Sequence, residues 1–133
     1  MKYLLDTHVL LWALFEDEKL SRRAKAEISN PNNRILISIV SYWEISLKYG
    51  IGKLELQGIT PEELVQVARE IGFETLNISE EDAAGFYRLP KIRHKDPFDR
   101  LIIRQAITRK LPLISKDKMM REYQDFGLEF LWK

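Results

Sequence analysis

The feature that most constrains this chain is a repeated alternation of short apolar runs with longer helical stretches. The runs at 2–5, 35–38, 73–78, 111–114 and 128–132 are bounded by turn or capping residues and read as buried strands. Helical patterns fill the intervals. Val9 to Phe15 is nearly unbroken apolar sequence; Ser21 caps a segment through Ser29, and Asn30-Pro31-Asn32-Asn33 is a loop. Ser38 or Ser41 opens a helix to Gly50. Thr60-Pro61-Glu62-Glu63 is a capping box for a helix ending near Gly72, and Ser79 caps another through about Arg88. Asp96-Pro97 starts a further helix, and Met119 to Tyr123 a short one. Strands alternating with helices predict an α/β domain with a mainly parallel central sheet flanked by helices. With 133 residues there is one domain, spanning 1–133, and one core.

Ligands of such sheets bind beyond the carboxyl ends of the strands. That rule singles out four carboxylates. Asp6 ends the first strand, and Asp117 lies just past the strand at 113–114. Asp99 is in the first turn of the helix leading into that strand, which brings it to the same edge. Glu44 shares a stripe with Val40, Trp43, Leu47 and Ile51 at helical spacing, a face expected to be buried. An unpaired charge there is costly, so Glu44 is neutralised, paired, or placed at the lip of a site that wants its charge. Asp96 precedes Pro97 and reads as a structural N-cap. Four carboxylates on one lip repel one another, and a hard divalent cation is the natural relief.

Other chemistries fit poorly. Cysteine is absent, which excludes disulfides and thiolate sites and fits a cytoplasmic location. No apolar run approaches the ~20 residues of a membrane helix, and Asp6 interrupts any signal-peptide core. His8 and His94 are the only histidines; His8 reads as a packed or hydrogen-bonded residue rather than a base. A dehalogenase-like phosphatase would want an aspartate where His8 stands, and a receiver-like phosphoacceptor lacks its acidic pair. Net charge is +1, but residues 88–121 carry a strong basic excess around the Asp96–Asp99 stretch. That field suits a polyanion, with Lys95, Arg100, Arg104, Lys116 and Lys118 as candidate contacts to a phosphate backbone.

Four segments taken together resemble the PIN-domain endoribonucleases, in particular the VapC-type toxins of toxin–antitoxin pairs. They are Leu4-Leu5-Asp6-Thr7-His8-Val9-Leu10-Leu11-Trp12, Ser41-Tyr42-Trp43-Glu44-Ile45-Ser46-Leu47-Lys48 with Gly52-Lys53-Leu54, the stretch from His94 to Ala106, and Leu113-Ile114-Ser115-Lys116-Asp117. The resemblance implies a Mg²⁺- or Mn²⁺-dependent acidic site. Asp6, Glu44 and Asp99 match the family's invariant acids, Asp117 the more variable fourth, and Ser115 a Ser or Thr beside it that serves as a substrate-binding candidate. It also implies hydrolysis of RNA phosphodiesters to a 5′-phosphate and a 3′-hydroxyl, a homodimer and a small cognate antitoxin. The rival readings on the same scaffold are a non-toxin RNA-processing nuclease and a non-catalytic RNA- or protein-binding module. Many relatives have asparagine where this chain has His8.

Overall fold

The computed structural model describes residues 1–90 and 96–133. Its centre is a sheet of β1 (Lys2–Leu5), β2 (Arg34–Ser38), β3 (Glu74–Leu76), β4 (Leu113–Ile114) and β5 (Phe130–Leu131). Spatial order is β3-β2-β1-β4-β5, and every pairing is parallel. The chain winds outward from β1 to β2 and β3, then returns to β4 on the other side of β1. The strand order therefore reverses between β1 and β4, where open α/β sheets form their ligand crevice.

Among the described residues, six α-helices connect the strands: α1 (Thr7–Phe15), α2 (Arg22–Ser29), α3 (Ile39–Gly50), α4 (Pro61–Glu70), α5 (Glu80–Ala84) and α6 (Pro97–Arg109). Alternation along the strands sends side chains into two cores. Tyr3, Leu5, Ile35, Ile37 and Ile114 pack with Val9, Leu10, Ala24, Ile45, Leu64 and Ala68 on one face. Leu4, Leu36 and Leu113 pack with Ile102, Ile103, Ala106, Met120 and Tyr123 on the other. Both faces are covered, which is why the strands are so uniformly apolar. Among the described residues, no helix is long and apolar enough to cross a membrane.

The caps form as the sequence implies. Ser21 accepts from the Ala24 N–H, Ser38 from the Val40 N–H, and Thr60–Glu63 and Ser79–Asp82 form reciprocal capping boxes. Boundaries differ in the second half of the chain. The last three strands are shorter than their apolar runs. The helix expected through Arg88 stops at Ala84 and continues as a 3-10 turn from Gly85 to Arg88. A Cβ on Gly85 would lie 2.3 Å from an Arg104 guanidinium nitrogen, so that side chain packs directly on the turn's backbone. The short helix after Asp117 is instead a 3-10 segment, Lys118–Phe126, closed by Gly127 at φ 99°.

The stripe expected to be buried on α3 requires correction. Val40 and Glu44 are inside, but Trp43, Leu47 and Ile51 are 55%, 41% and 59% exposed. The inward face is Val40, Ser41, Glu44 and Ile45, because Ile45 packs into one core and Val40 into the other. Trp43 points outward and meets the Phe98 ring edge-on at 5.0 Å.

Candidate metal centre

Each acid reaches the crevice by a local device. Asp6 stands at the N-cap position of α1, yet its side chain makes no cap bond. Its Oδ2 instead accepts a 2.6 Å hydrogen bond from Ser115 Oγ, across the β1–β4 boundary. Ser115 Oγ also accepts from the Asp117 N–H at 3.0 Å, which ties the second acid to the first. Asp117 Oδ1 accepts from the Met119 N–H at 2.9 Å and so caps the following 3-10 segment. Asp96 Oδ1 accepts from the Phe98 and Asp99 N–H groups at 2.9 and 3.3 Å, the cap that Pro97 announced. Glu44 is 2% exposed on the inner face of α3, and its Oε2 accepts a 2.5 Å bond from Lys48 Nζ one turn on.

These devices bring the carboxylates together in two overlapping sets. Glu44, Asp96 and Asp99 each offer an oxygen within 4.8 Å of the others. Asp6, Asp99 and Asp117 line a cleft of about 550 Å³ with His8, Trp12, Lys116 and Lys118. Asp99 belongs to both sets and feels all the others. Burial first, and then the charges of Asp6, Asp96, Glu44 and Asp117, push its pKa up to about 8. Burial likewise raises Asp6, with Glu44 adding to it and the Ser115 bond and the nearby His8 opposing it. Burial pulls on the Lys48 ammonium, but the bond and charge of Glu44 and the fields of Asp96 and Asp99 give it a net rise.

Two buried carboxylate oxygens, Asp6 Oδ1 and Glu44 Oε1, have no hydrogen-bond partner among the described residues. A buried acceptor without a donor is expensive unless a ligand completes it. All-oxygen donors, several of them charged, at a partly open lip fit a hard divalent ion that keeps some of its water. The residues present therefore suit a hard divalent cation.

Several sequence expectations change here. Ser115 is fully buried and spends its hydroxyl on Asp6 and Asp117, so it positions acids rather than touching substrate. Arg100 is only 9% exposed; it donates to the Leu89 carbonyl at 3.0 Å and lies over the Phe86 ring, withdrawn from any surface phosphate. Arg104 lies against Gly85, on the α5 side of α6. Arg109 is also taken out of the basic field, by a two-pronged bond to Asp82 at 2.7 Å. Lys116 and Lys118 do stand at the cleft, with Lys116 Nζ 5.9 Å from the Trp12 ring centre. Lys95 and His94 lie outside the described residues. His8 is not packed away: it is exposed on the cleft wall, tilted against Trp12. Asp96, read from the sequence as a cap that adds negative potential, caps α6 and also offers an oxygen to the acid set. One participant was missed: Lys48 enters through the Glu44-to-Lys48 spacing of i, i+4, which was the available signal.

The model of the PIN domain family matches residues 3–125, a span containing every acid of the cluster. Ribonuclease VapC22 of Mycobacterium tuberculosis is 29% identical over 121 residues, 91% of each chain. Among solved structures, the fold is shared with VapBC2 of Rickettsia felis bound to a promoter DNA fragment, at TM-score 0.69 and 19% identity over the whole of both chains. It is shared also with FitAcB of Neisseria gonorrhoeae, at TM-score 0.63 and 20% identity, covering 98% of this chain and 96% of that one. With the strand order, the acidic crevice and a family match over nearly its whole length, this chain belongs to the PIN domain family.

Proposed function

We propose that the protein is a Mg²⁺- or Mn²⁺-dependent endoribonuclease, the toxin of a toxin–antitoxin pair. The observation that carries this reading is the meeting of Asp6, Glu44, Asp96, Asp99 and Asp117 at the sheet's switch point, with two buried carboxylate oxygens unpartnered. The similarity to a protein named as a ribonuclease supports RNA as substrate.

Asp6 and Asp99 are the principal metal ligands, with Glu44, Asp96 and Asp117 completing the set directly or through water. A divalent ion bound there supplies an activated water and neutralises charge developing at phosphorus. The chain's own residues do the positioning. Ser115 fixes the Asp6 carboxylate and sets the Asp117 backbone. Asp96 fixes the first turn of α6 and with it Asp99. Lys116 and Lys118 in the cleft attract the RNA backbone, and His8 and Trp12 line the same cleft. A homodimer and a small antitoxin are the assembly and partner that go with this function.

Purified protein incubated with RNA should cleave it in Mg²⁺ or Mn²⁺, leave 5′-phosphate and 3′-hydroxyl ends, and stop on chelation. Undiminished cleavage in EDTA, or 2′,3′-cyclic phosphate ends, would overturn the metal mechanism.

A further inference from the structure

Lys48 is the one cation among the described residues that bonds an acid of the cluster. Its ammonium lies 2.5 Å from Glu44 Oε2, while Glu44 is almost wholly buried. The lysine side chain is 37% exposed, so it enters the site from the solvent side. Glu44 belongs to the set with Asp96 and Asp99, whereas Asp6 and Asp117 reach Asp99 from the cleft side. The crevice thus has two acidic flanks sharing Asp99: Lys48 bonds directly to an acid of the Glu44 flank, and Lys116 and Lys118 line the cleft on the other.

We propose that Lys48 stands in for the second divalent cation of this site, so that the chain takes up a single Mg²⁺ or Mn²⁺. This rests on the metal-dependent reading above. Sites of this chemistry often use two ions as a clamp about 3.5–4 Å apart. Here a second ion on the Glu44 flank would have to displace an ammonium tethered one helical turn away. The i, i+4 spacing delivers that ammonium without any cost of capture from solution. It lowers the repulsion among the acids in the same manner as a metal would, and it leaves Glu44 Oε1 without a protein partner. Two cations do not share Glu44 Oε2 comfortably, since like charges at that separation repel.

Manganese binding to the full-length protein, followed by titration calorimetry, tests this. Wild type should take up one Mn²⁺ per chain. Lys48→Met should take up two, and Lys48→Arg, which keeps the charge, should return to one. In EDTA, Lys48→Met should melt below wild type, and saturating Mn²⁺ should raise its Tm more than it raises that of wild type. Two ions in wild type, or one in a folded Lys48→Met, overturn the proposal while leaving a metal site intact. No uptake by wild type overturns the metal reading itself, and this proposal with it. Should Lys48→Met fail to fold, amine acylation of wild type read by mass spectrometry decides. Lys48 should react more slowly than exposed Lys53 both in EDTA and in Mn²⁺, and a rise in its reactivity on adding Mn²⁺ would show that the metal evicts it.

Discussion

At the scale of single residues, Asp96 and Asp99 divide their tasks although only two residues separate them. Asp96 is a cap whose oxygen is bonded to backbone, so Asp96→Ala should cost about 0.5–2 kcal/mol and Asp96→Ser should recover most of it. Asp99 behaves oppositely. Its folded pKa is near 8 against an ordinary value of 3.8, so between those limits the metal-free folded state binds more protons than the unfolded one. The contribution of Asp99 to the stability of the apo protein is therefore fully present below about pH 4 and is lost as pH rises through about 8. Asp99→Asn should flatten that curve and melt higher than wild type at pH 8 in EDTA; a parallel pair of melting curves would refute this. Asp6, Asp99 and Asp117 stood out in the sequence from strand ends and a helix start, and Glu44 from its place on an apolar stripe. Lys48 did not, because its part depends on how α3 and the start of α6 face one another. Arg100 and Arg104 were misread for a related cause: charge content in sequence does not say which guanidinium folds back onto a carbonyl or a glycine.

At the scale of elements, strand alternation and caps made nearly every helix readable, and the parallel sheet followed from their order. What local pattern did not reveal was the rotation of α3. Apolar spacing alone favoured Val40, Trp43, Glu44, Leu47 and Ile51 as one buried stripe, yet packing against two cores kept Val40 and Glu44 inside and brought in Ser41 and Ile45 in place of the other three. Two truncations separate these orientations in urea melts. Ile45→Ala should lose about 2–5 kcal/mol through the cavity it opens, whereas Leu47→Ala should stay within about 1 kcal/mol. Equal losses would restore the other face. A second element-level device links α5, α6 and β2: Asp82 accepts from Arg109 and Gln105, and Gln105 accepts from Ser38 Oγ at 2.6 Å. Despite burial, which raises it, the Arg109 bond, the Ser79 N–H and Gln105 hold the Asp82 pKa down to about 2. That contribution to stability is present above pH 4 and lost as pH falls through about 2. Asp82→Asn leaves Arg109 without its counter-charge and should destabilise by about 2–4 kcal/mol at neutral pH, with a smaller difference near pH 2.

At the scale of the whole molecule, the topology explains why residues from four distant parts of the sequence share one site. Placing β1 between β2 and β4 puts the ends of β1 and β4 side by side, and the antiparallel return of α6 delivers its N-terminal turn to the same edge. The sheet thus supplies Asp6, Ser115 and Asp117, α6 supplies Asp96 and Asp99, and α3 supplies Glu44 with Lys48. Asp96 and Asp117 also cap the segments that follow them, but capping does not require Asp6, Glu44 and Asp99 to gather beside them. Under the proposed function, the repulsion among these acids is retained because the cluster would hold a divalent ion for RNA hydrolysis. The most direct test of this central claim is the rate of RNA cleavage in Mn²⁺ by wild type and by Asp99→Asn, assayed side by side on protein shown to be folded. Loss of an ion's transition-state stabilisation, several kcal/mol, predicts a fall of at least ~10²-fold. A folded Asp99→Asn protein that cleaves at a rate near wild type would place the chemistry elsewhere.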